Sequence, residues 1–166
     1  MSLDNIELPG FLYLLLYKKS LVDLANGKVK ATNKNEPEID YLGGNEKKII
    51  FIATDNENKY LNDTLMNFLN ELLNACKLTM ADIALVNFHQ KKIISYQELI
   101  VELNAQKIVV FGLTANDIAL PLGISFFQVQ KFQQQEYLMC PSLEEIWLNR
   151  DLKKQLWNCF KEIFEI

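Results

Sequence analysis

The sequence has few of the residues from which metal sites and disulfide frameworks are built. It contains one histidine, His89, and three cysteines, Cys76, Cys140 and Cys159, which lie far apart among apolar neighbours. No two of these residues have the close spacing of zinc ligands, so we expect no metal site and no cofactor. The odd number and wide spacing of the cysteines favour buried free thiols in a reducing compartment.

The glycines do not form a phosphate-binding loop. Such a loop needs closely spaced glycines directly after a strand, so that backbone N–H groups can approach the anion. Here the pair Gly43-Gly44 precedes the first predicted strand, whereas Asp55 and Asn56 follow it. The pattern therefore argues against a dinucleotide or nucleoside triphosphate site.

Long apolar runs and an excess of positive charge are also missing. The apolar run at residues 11–17 is much shorter than the ~20 residues of a membrane-spanning helix. No signal-peptide pattern surrounds it. The formal charge of −4 does not favour a protein that grips DNA phosphates. We expect a cytoplasmic protein with no membrane contact and little direct nucleic-acid binding.

Strand and helix patterns alternate from residue 48 onward. Apolar runs typical of buried strands occupy 49–53, 83–88, 107–112 and 124–129, and a fifth strand is an option at 136–139. Helical spacing and start signals predict helices at 65–76, 95–103, 116–120, 142–148 and 150–164. Ser95 and Glu98 match a capping box. This order predicts an α/β fold, a three-layer α/β/α sandwich with a short, mostly parallel sheet in the strand order 2-1-3-4.

The first 47 residues have a different texture. Residues 10–25 are predicted to form a helix, and residues 26–47 are rich in turn formers and read as a polar linker. We therefore divide the chain into an N-terminal helical arm and polar linker, 1–47, and an α/β core domain, 48–166. The helix is apolar all round, so it either packs on the domain or keeps one face for a partner. Its candidate partner-binding residues are Phe11, Leu12, Leu14, Leu15 and Leu16.

Polar residues at the carboxyl ends of the predicted strands are candidate site residues, because α/β sheets bind ligands there. Asp55 follows the first strand, and we interpret it as a turn residue that bonds the backbone, with a water-activating carboxylate as the alternative. His89 follows the second strand near Lys91 and Lys92. It has no evident orienting partner, so we interpret it as an ordinary loop residue and not as a general base.

The C-terminal part of the chain resembles two related families. Residues 139–150 read MCPSLEEIWLNR, and a Leu-Trp pair follows at 156–157. The uracil-DNA glycosylase superfamily ends with a His-Pro-Ser loop, an asparagine and a last helix that bears Leu-Trp. The psi subunit of the bacterial DNA polymerase III clamp loader is similar to a glycosylase fold without the catalytic loop, and it has proline, asparagine and Leu-Trp at like intervals. Pro141, Asn149, Leu156 and Trp157 fall at those spacings.

Two earlier stretches add to the resemblance. The strand 49–53 followed by Asp55 is similar to an apolar strand of psi that ends in a polar turn, and 107–115 resembles the glycosylase strand that leads to Gly-x-Thr/Ser-Ala. The resemblance covers about 48–166 and implies a uracil-DNA glycosylase-like fold. The positions that match the family motifs are Asp55, Gly112, Cys140, Pro141, Ser142, Asn149 and Trp157.

Departures from the glycosylase pattern separate the two families. Cys140 stands in the position of the glycosylase histidine, and a thiol cannot supply the same charge. The first loop also lacks the Gly-Glu-x-Pro-Gly type of sequence. The resemblance to psi therefore implies a non-catalytic adaptor of the replication machinery, whose partners are other clamp-loader subunits. A glycosylase-type repair enzyme with a degenerate active site is the alternative, and an unrelated α/β binding module is a third interpretation. Pro141 and Ser142 also suit an ordinary helix start.

Overall fold

The computed structural model describes residues 39–90 and 95–166, and this part of the chain has an α/β fold. One sheet is built from β1 (Ile49–Ala53), β2 (Ile83–Asn87), β3 (Lys107–Phe111), β4 (Val129–Phe132) and β5 (Gln135–Cys140). The helices in these ranges are α1 (Asp63–Ala75), α2 (Tyr96–Leu103), α3 (Leu143–Leu148) and α4 (Arg150–Phe164). No helix among the described residues is both long and apolar enough to cross a membrane.

The sheet is mostly parallel, with the strand order β2-β1-β3-β5-β4. The parallel pairs are β1 with β2, β1 with β3, and β3 with β5, whereas β4 runs antiparallel to β5. Every residue of β1 and β2 is buried. Continuous apolar runs are the pattern expected of strands with both faces covered.

Helices cover both faces of the sheet. On one face, α1, α3 and α4 pack around Phe51 and Val109; on the other, α2 packs around Ile50 and Ile52. The Phe51 ring lies parallel to that of Phe111, with 5.9 Å between centroids. With both faces occupied, the loops gather at the two edges where the parallel strands begin and end.

The predicted class, an α/β chain with a mostly parallel sheet, is confirmed, and so is the order of the first three strands. The capping box is also confirmed: Ser95 Oγ accepts from the N–H of Glu98, and the Glu98 carboxylate accepts from the N–H of Ser95. This reciprocal bonding satisfies N–H groups that have no partner within the helix, and it fixes where α2 begins.

The predicted strand at 124–129 is wrong. Only Val129 belongs to a strand, and β4 extends to Phe132 as one arm of a hairpin with β5. Gln133 and Gln134 form the turn with φ of 48° and 72°, the left-handed values that a two-residue hairpin turn requires. The strand that pairs with β3 on the side opposite β1 is therefore β5, which was predicted from the sequence only as an optional fifth strand. β4 pairs with β5 and forms one edge of the sheet.

The predicted helix at 116–120 is also wrong, because residues 116–119 lie in turns and residue 120 is in no helix. The Asp117 carboxylate accepts hydrogen bonds from the N–H and the hydroxyl of Thr114, at 2.7 and 2.8 Å. Ala119 then takes a φ of 55°, which a helix does not allow. Side chains of this type offer the backbone an alternative to the helix, and here the turn forms.

The end of the predicted linker packs on the sheet. Ile39 is buried in the core, and Leu42 exchanges backbone hydrogen bonds of 2.8 and 2.9 Å with Leu85 of β2. Gly43 has a φ of 119°, and a Cβ there would lie 2.2 Å from the carbonyl oxygen of Ile83. The segment 39–47 thus covers the outer edge of β2. In the sequence analysis, these residues were counted with the linker that precedes the core domain.

Candidate functional site

The crevice between the carboxyl ends of β1 and β3 is where this topology places a ligand. The strand order reverses there, since β2 lies on one side of β1 and β3 on the other. Thr54, Phe111 and Ser142 are among the residues that line a cavity of about 160 Å³ at this point. Pockets for small molecules usually measure about 300–1,000 Å³. The crevice is therefore small for a ligand of the size of a nucleotide.

Gly112 lets the start of α3 close over the crevice. Its φ is 72°, and a Cβ at this position would lie 3.2 Å from Ser142 Cβ and 3.5 Å from Thr54 Oγ1. A glycine adopts this conformation without strain and leaves room for the close approach. The structure thus brings three of the family-motif positions together, Gly112, Cys140 and Ser142, because Gly112 N–H also donates to the carbonyl of Cys140 at 2.9 Å.

Asp55 organises the loop after β1. Its carboxylate accepts hydrogen bonds from the N–H groups of Glu57, Asn58 and Asn62 at 2.9, 2.9 and 3.1 Å. Burial raises the pKa of Asp55, but these backbone bonds and the Asn58 amide outweigh it and hold the pKa below the ordinary value. A carboxylate stabilised in this way is a weak base, and the bonds are those of the predicted turn.

Asn87 is the residue that sequence reasoning missed. It ends β2, is 4% exposed, and its amide donates to the carbonyls of Asp55, Asn58 and Lys59 at 2.8, 3.0 and 3.2 Å. Its Oδ1 accepts from the N–H groups of Asp55 and His89 at 3.2 and 3.0 Å. The sequence pattern that could have indicated this role is an asparagine directly after four apolar residues, near the end of a predicted strand. Its side chain joins the loops that follow β1 and β2.

Cys140 and Ser142 have structural roles at the end of β5. Cys140 is fully buried, and this burial, with Cys159 nearby, raises the pKa of its thiol far above the ordinary value. Ser142 caps α3: its hydroxyl accepts from the N–H of Glu145, whose carboxylate accepts from the N–H of Ser142, both at 3.2 Å. Cys76, Cys140 and Cys159 are all buried free thiols, as predicted.

The other candidate residues occupy separate places in the chain. Asn149 caps α4, since its Oδ1 accepts from the N–H groups of Asp151 and Leu152 at 2.9 and 3.4 Å. Trp157 is half-buried at the margin of the core. Pro141 lines the groove described next. His89 is exposed. The candidates Phe11, Leu12, Leu14, Leu15 and Leu16 lie outside the described residues.

An apolar groove lies beside the end of β5. We call it the α3–α4 groove; it measures about 670 Å³ and is lined by Phe126, Pro141, Glu145, Leu148, Asn149, Arg150 and Leu152. Phe126 is 49% and Leu148 is 70% exposed. Large exposed apolar side chains in one patch are typical of a protein-binding surface. The sequence did not reveal the groove, because α3 is too short to show a periodic pattern.

Asp55→Ala is expected to lower the free energy of unfolding by about 1–2 kcal/mol at neutral pH, because the backbone donors of the loop lose their acceptor. The folded pKa lies below the ordinary value of 3.8. The contribution is therefore present above that value and is lost as the pH falls through the folded pKa. Urea unfolding across an acid series should show wild type and variant converging.

The control for this prediction is Asn56→Ala, an exposed position in the same loop. It should change the free energy of unfolding by less than about 0.5 kcal/mol at every pH. An Asp55→Ala loss that stays constant into strong acid would show that the charge of the carboxylate is not what stabilises the loop.

The described residues contain no group of three or more histidine, cysteine, aspartate or glutamate side chains placed to hold a metal ion. Comparison of the sequence with protein-family models gave no match, and comparison with curated proteins gave none either. The resemblance to the psi and glycosylase families therefore rests on the positions in the sequence alone.

Proposed function

We propose that this protein is a non-catalytic adaptor of the bacterial DNA replication machinery, similar to the psi subunit of the clamp loader and active in the cytoplasm. The observation that carries the proposal is the exposed α3–α4 groove at the carboxyl edge of the sheet, where the polar side chains of Asp55, Asn87 and Ser142 are bonded to the backbone. Asp55 and Asn87 hold loops, and Ser142 caps a helix. This edge of the sheet therefore has an exposed apolar surface that suits protein binding, whereas its polar side chains are engaged in structural hydrogen bonds.

The residues at the carboxyl edge of the sheet are poorly suited to the chemistry of a glycosylase. Such an enzyme needs a pocket for a flipped base and a group that stabilises developing charge or activates water. The crevice of about 160 Å³ is small, and Cys140 is buried with a raised thiol pKa. Asp55 is a weak base because the loop backbone holds its charged form. These features favour the adaptor over the degenerate enzyme.

The proposal includes the finer fold, a uracil-DNA glycosylase-like three-layer sandwich. Helices on both faces of a mostly parallel sheet support it. So do the places of two motif residues: Pro141 directly precedes the capped start of α3, and Asn149 caps α4. A motif that fixes the starts of α3 and α4 would also fix how both helices pack against the sheet.

The partner is a clamp-loader subunit that presents apolar side chains to the groove. Phe126, Leu148 and Leu152 form its apolar part, and Glu145 and Arg150 supply one charge of each sign. A complementary segment therefore carries apolar anchors flanked by a basic and an acidic side chain. An amphipathic helix with anchors on one face meets this requirement.

Affinity capture tests the function directly. Tagged full-length protein is incubated with a bacterial extract, and bound proteins are identified by mass spectrometry. We expect recovery of clamp-loader subunits. Recovery of none of them, together with tight DNA binding at physiological salt, would refute the adaptor.

A separate assay of uracil release tests the glycosylase alternative. The protein is incubated with single- and double-stranded DNA that contains uracil, and we expect no uracil release. Release that disappears in Asp55→Ala or His89→Ala would replace the adaptor with the glycosylase.

A further inference from the structure

Phe127 has a backbone conformation that is costly for its residue type. It lies in a turn just before β4, and its φ is 60°. Left-handed values of this kind are uncommon outside glycine and a few small polar residues, and a bulky side chain with such a φ is a genuine outlier. Outliers persist only where the surrounding structure over-determines them, and they cluster at binding and active sites. The strained turn at Phe127 therefore points to a functional role.

Three contacts hold Phe127 in this conformation. Its N–H donates to the carbonyl of Met139 in β5 at 2.8 Å. Its carbonyl accepts from the thiol of Cys159 in α4, with 3.3 Å between Sγ and the oxygen. Its side chain packs against the core on the face of the sheet that α1, α3 and α4 cover. The residue is thus tied to β5, to α4 and to the core at once.

The three contacts differ in strength. Burial, with the charge of Glu162, raises the pKa of the Cys159 thiol above its ordinary value, so the thiol keeps its proton at neutral pH and donates. An S–H group is nevertheless a weak donor. The bond from the N–H of Phe127 and the packing of its ring therefore supply most of the constraint, and the informative substitutions are those at Phe127 itself.

The residue before Phe127 belongs to the α3–α4 groove. Phe126 lines the groove and is half exposed, whereas Phe127 is not among the described residues that line it. The peptide group that joins Phe126 to Phe127 is planar, and its N–H is the one bonded to Met139. Fixing this plane fixes the backbone that carries the Phe126 ring. An anchor that is ordered before binding loses less conformational freedom when the partner arrives.

We propose that Phe127 is a positioning residue of the α3–α4 groove, whose strained and anchored backbone holds Phe126 in place before the partner binds. This inference rests on the proposed function, because the groove is the surface that the clamp-loader subunit contacts there. A relaxed backbone at Phe127 would change the direction of the chain at Phe126 and lower the affinity of the groove.

Hydrogen exchange of the full chain tests the anchoring without a partner. Mass spectrometry follows the amide of Phe127 in wild type, in Phe127→Ala and in the control Leu72→Ala; Leu72 is a partly buried residue of α1 that packs against the same core. We expect slow exchange in wild type and in the control, and exchange at least about tenfold faster in Phe127→Ala. A wild-type rate equal to that of an unbonded amide, or the same rate in both variants, would overturn the proposal.

Thermal unfolding tests the strain. Phe127→Gly and Phe127→Ala both remove the ring, but glycine adopts a φ of 60° without strain and alanine does not. Phe127→Gly should therefore unfold at a temperature about 2–4 °C higher than Phe127→Ala. At most positions in helices and strands the glycine variant is the less stable of the two. An alanine variant as stable as the glycine variant would show that the turn is not held in the left-handed conformation and would refute the positioning role.

Surface plasmon resonance against the clamp-loader partner tests the consequence for binding. Phe127→Ala should weaken binding about tenfold although Phe126 itself is retained, and Leu72→Ala should bind as wild type does. Wild-type affinity in Phe127→Ala would overturn the positioning role and leave the adaptor intact. If no clamp-loader subunit binds the wild type, the proposed function fails, and the exchange and unfolding measurements still decide whether Phe127 holds its neighbour.

Discussion

Asn87→Ala is expected to lower the free energy of unfolding by about 4 kcal/mol, a loss at the upper end for single substitutions. The side chain makes hydrogen bonds to five backbone groups of the two loops, at 2.8 to 3.2 Å. Alanine leaves these donors and acceptors without a partner in a site that is 4% exposed in the wild type. The loss exceeds that of one ordinary bond because the groups form one network.

Urea unfolding followed by circular dichroism measures this loss. Asn67→Ala is the matched control, since that asparagine is exposed in the middle of α1 and should change the free energy of unfolding by less than about 0.5 kcal/mol. Asn87→Asp keeps the shape but turns three donated bonds into contacts between a carboxylate oxygen and carbonyls. It should therefore be as destabilising as alanine. A loss below about 1 kcal/mol in both variants would show that water replaces the network.

Leu148→Asp and Phe126→Asp are expected to weaken binding of the proposed clamp-loader partner at least about 30-fold each, because each places a charge in the apolar part of the groove. Anchors in the centre of an interface commonly cost about 2 kcal/mol or more when they are removed. Leu148 is 70% exposed in the free protein, so its replacement should leave the thermal unfolding temperature nearly unchanged. Surface plasmon resonance against the purified subunit gives the affinity.

Val101→Asp is the control for the groove variants. Val101 is 79% exposed on α2 and does not line the groove, so wild-type affinity is expected. If both groove variants bind as wild type does, the α3–α4 groove is not the contact surface and the observation behind the adaptor is lost.

Local sequence patterns were sufficient where backbone preference and burial act in the same direction. The strands β1, β2 and β3 were evident because each contains an uninterrupted apolar run of four or five residues, and helical segments separate these runs. The start of α2 followed from the capping box of Ser95 and Glu98. The turn role of Asp55 followed from the ability of its side chain to bond nearby N–H groups.

Local patterns failed where neighbouring structure overrides preference. The hairpin turn uses Gln133 and Gln134 at positive φ, although neither residue is typical of such turns. The apolar stretch before Val129 looked like a strand, yet Phe127 packs against the core as part of a loop. At Thr114, a side-chain bond to Asp117 replaced the predicted helix.

By itself, the sequence determined the α/β class, the first three strands and the turn at Asp55, because these depend on residues close together in the chain. Only the tertiary structure decided the surfaces. Phe126 and Leu148 both line the α3–α4 groove, and Thr54 and Ser142 both line the crevice at the carboxyl ends of β1 and β3. Such pairs are distant in sequence, and they become neighbours only when strand pairing and helix packing bring them to one edge of the sheet.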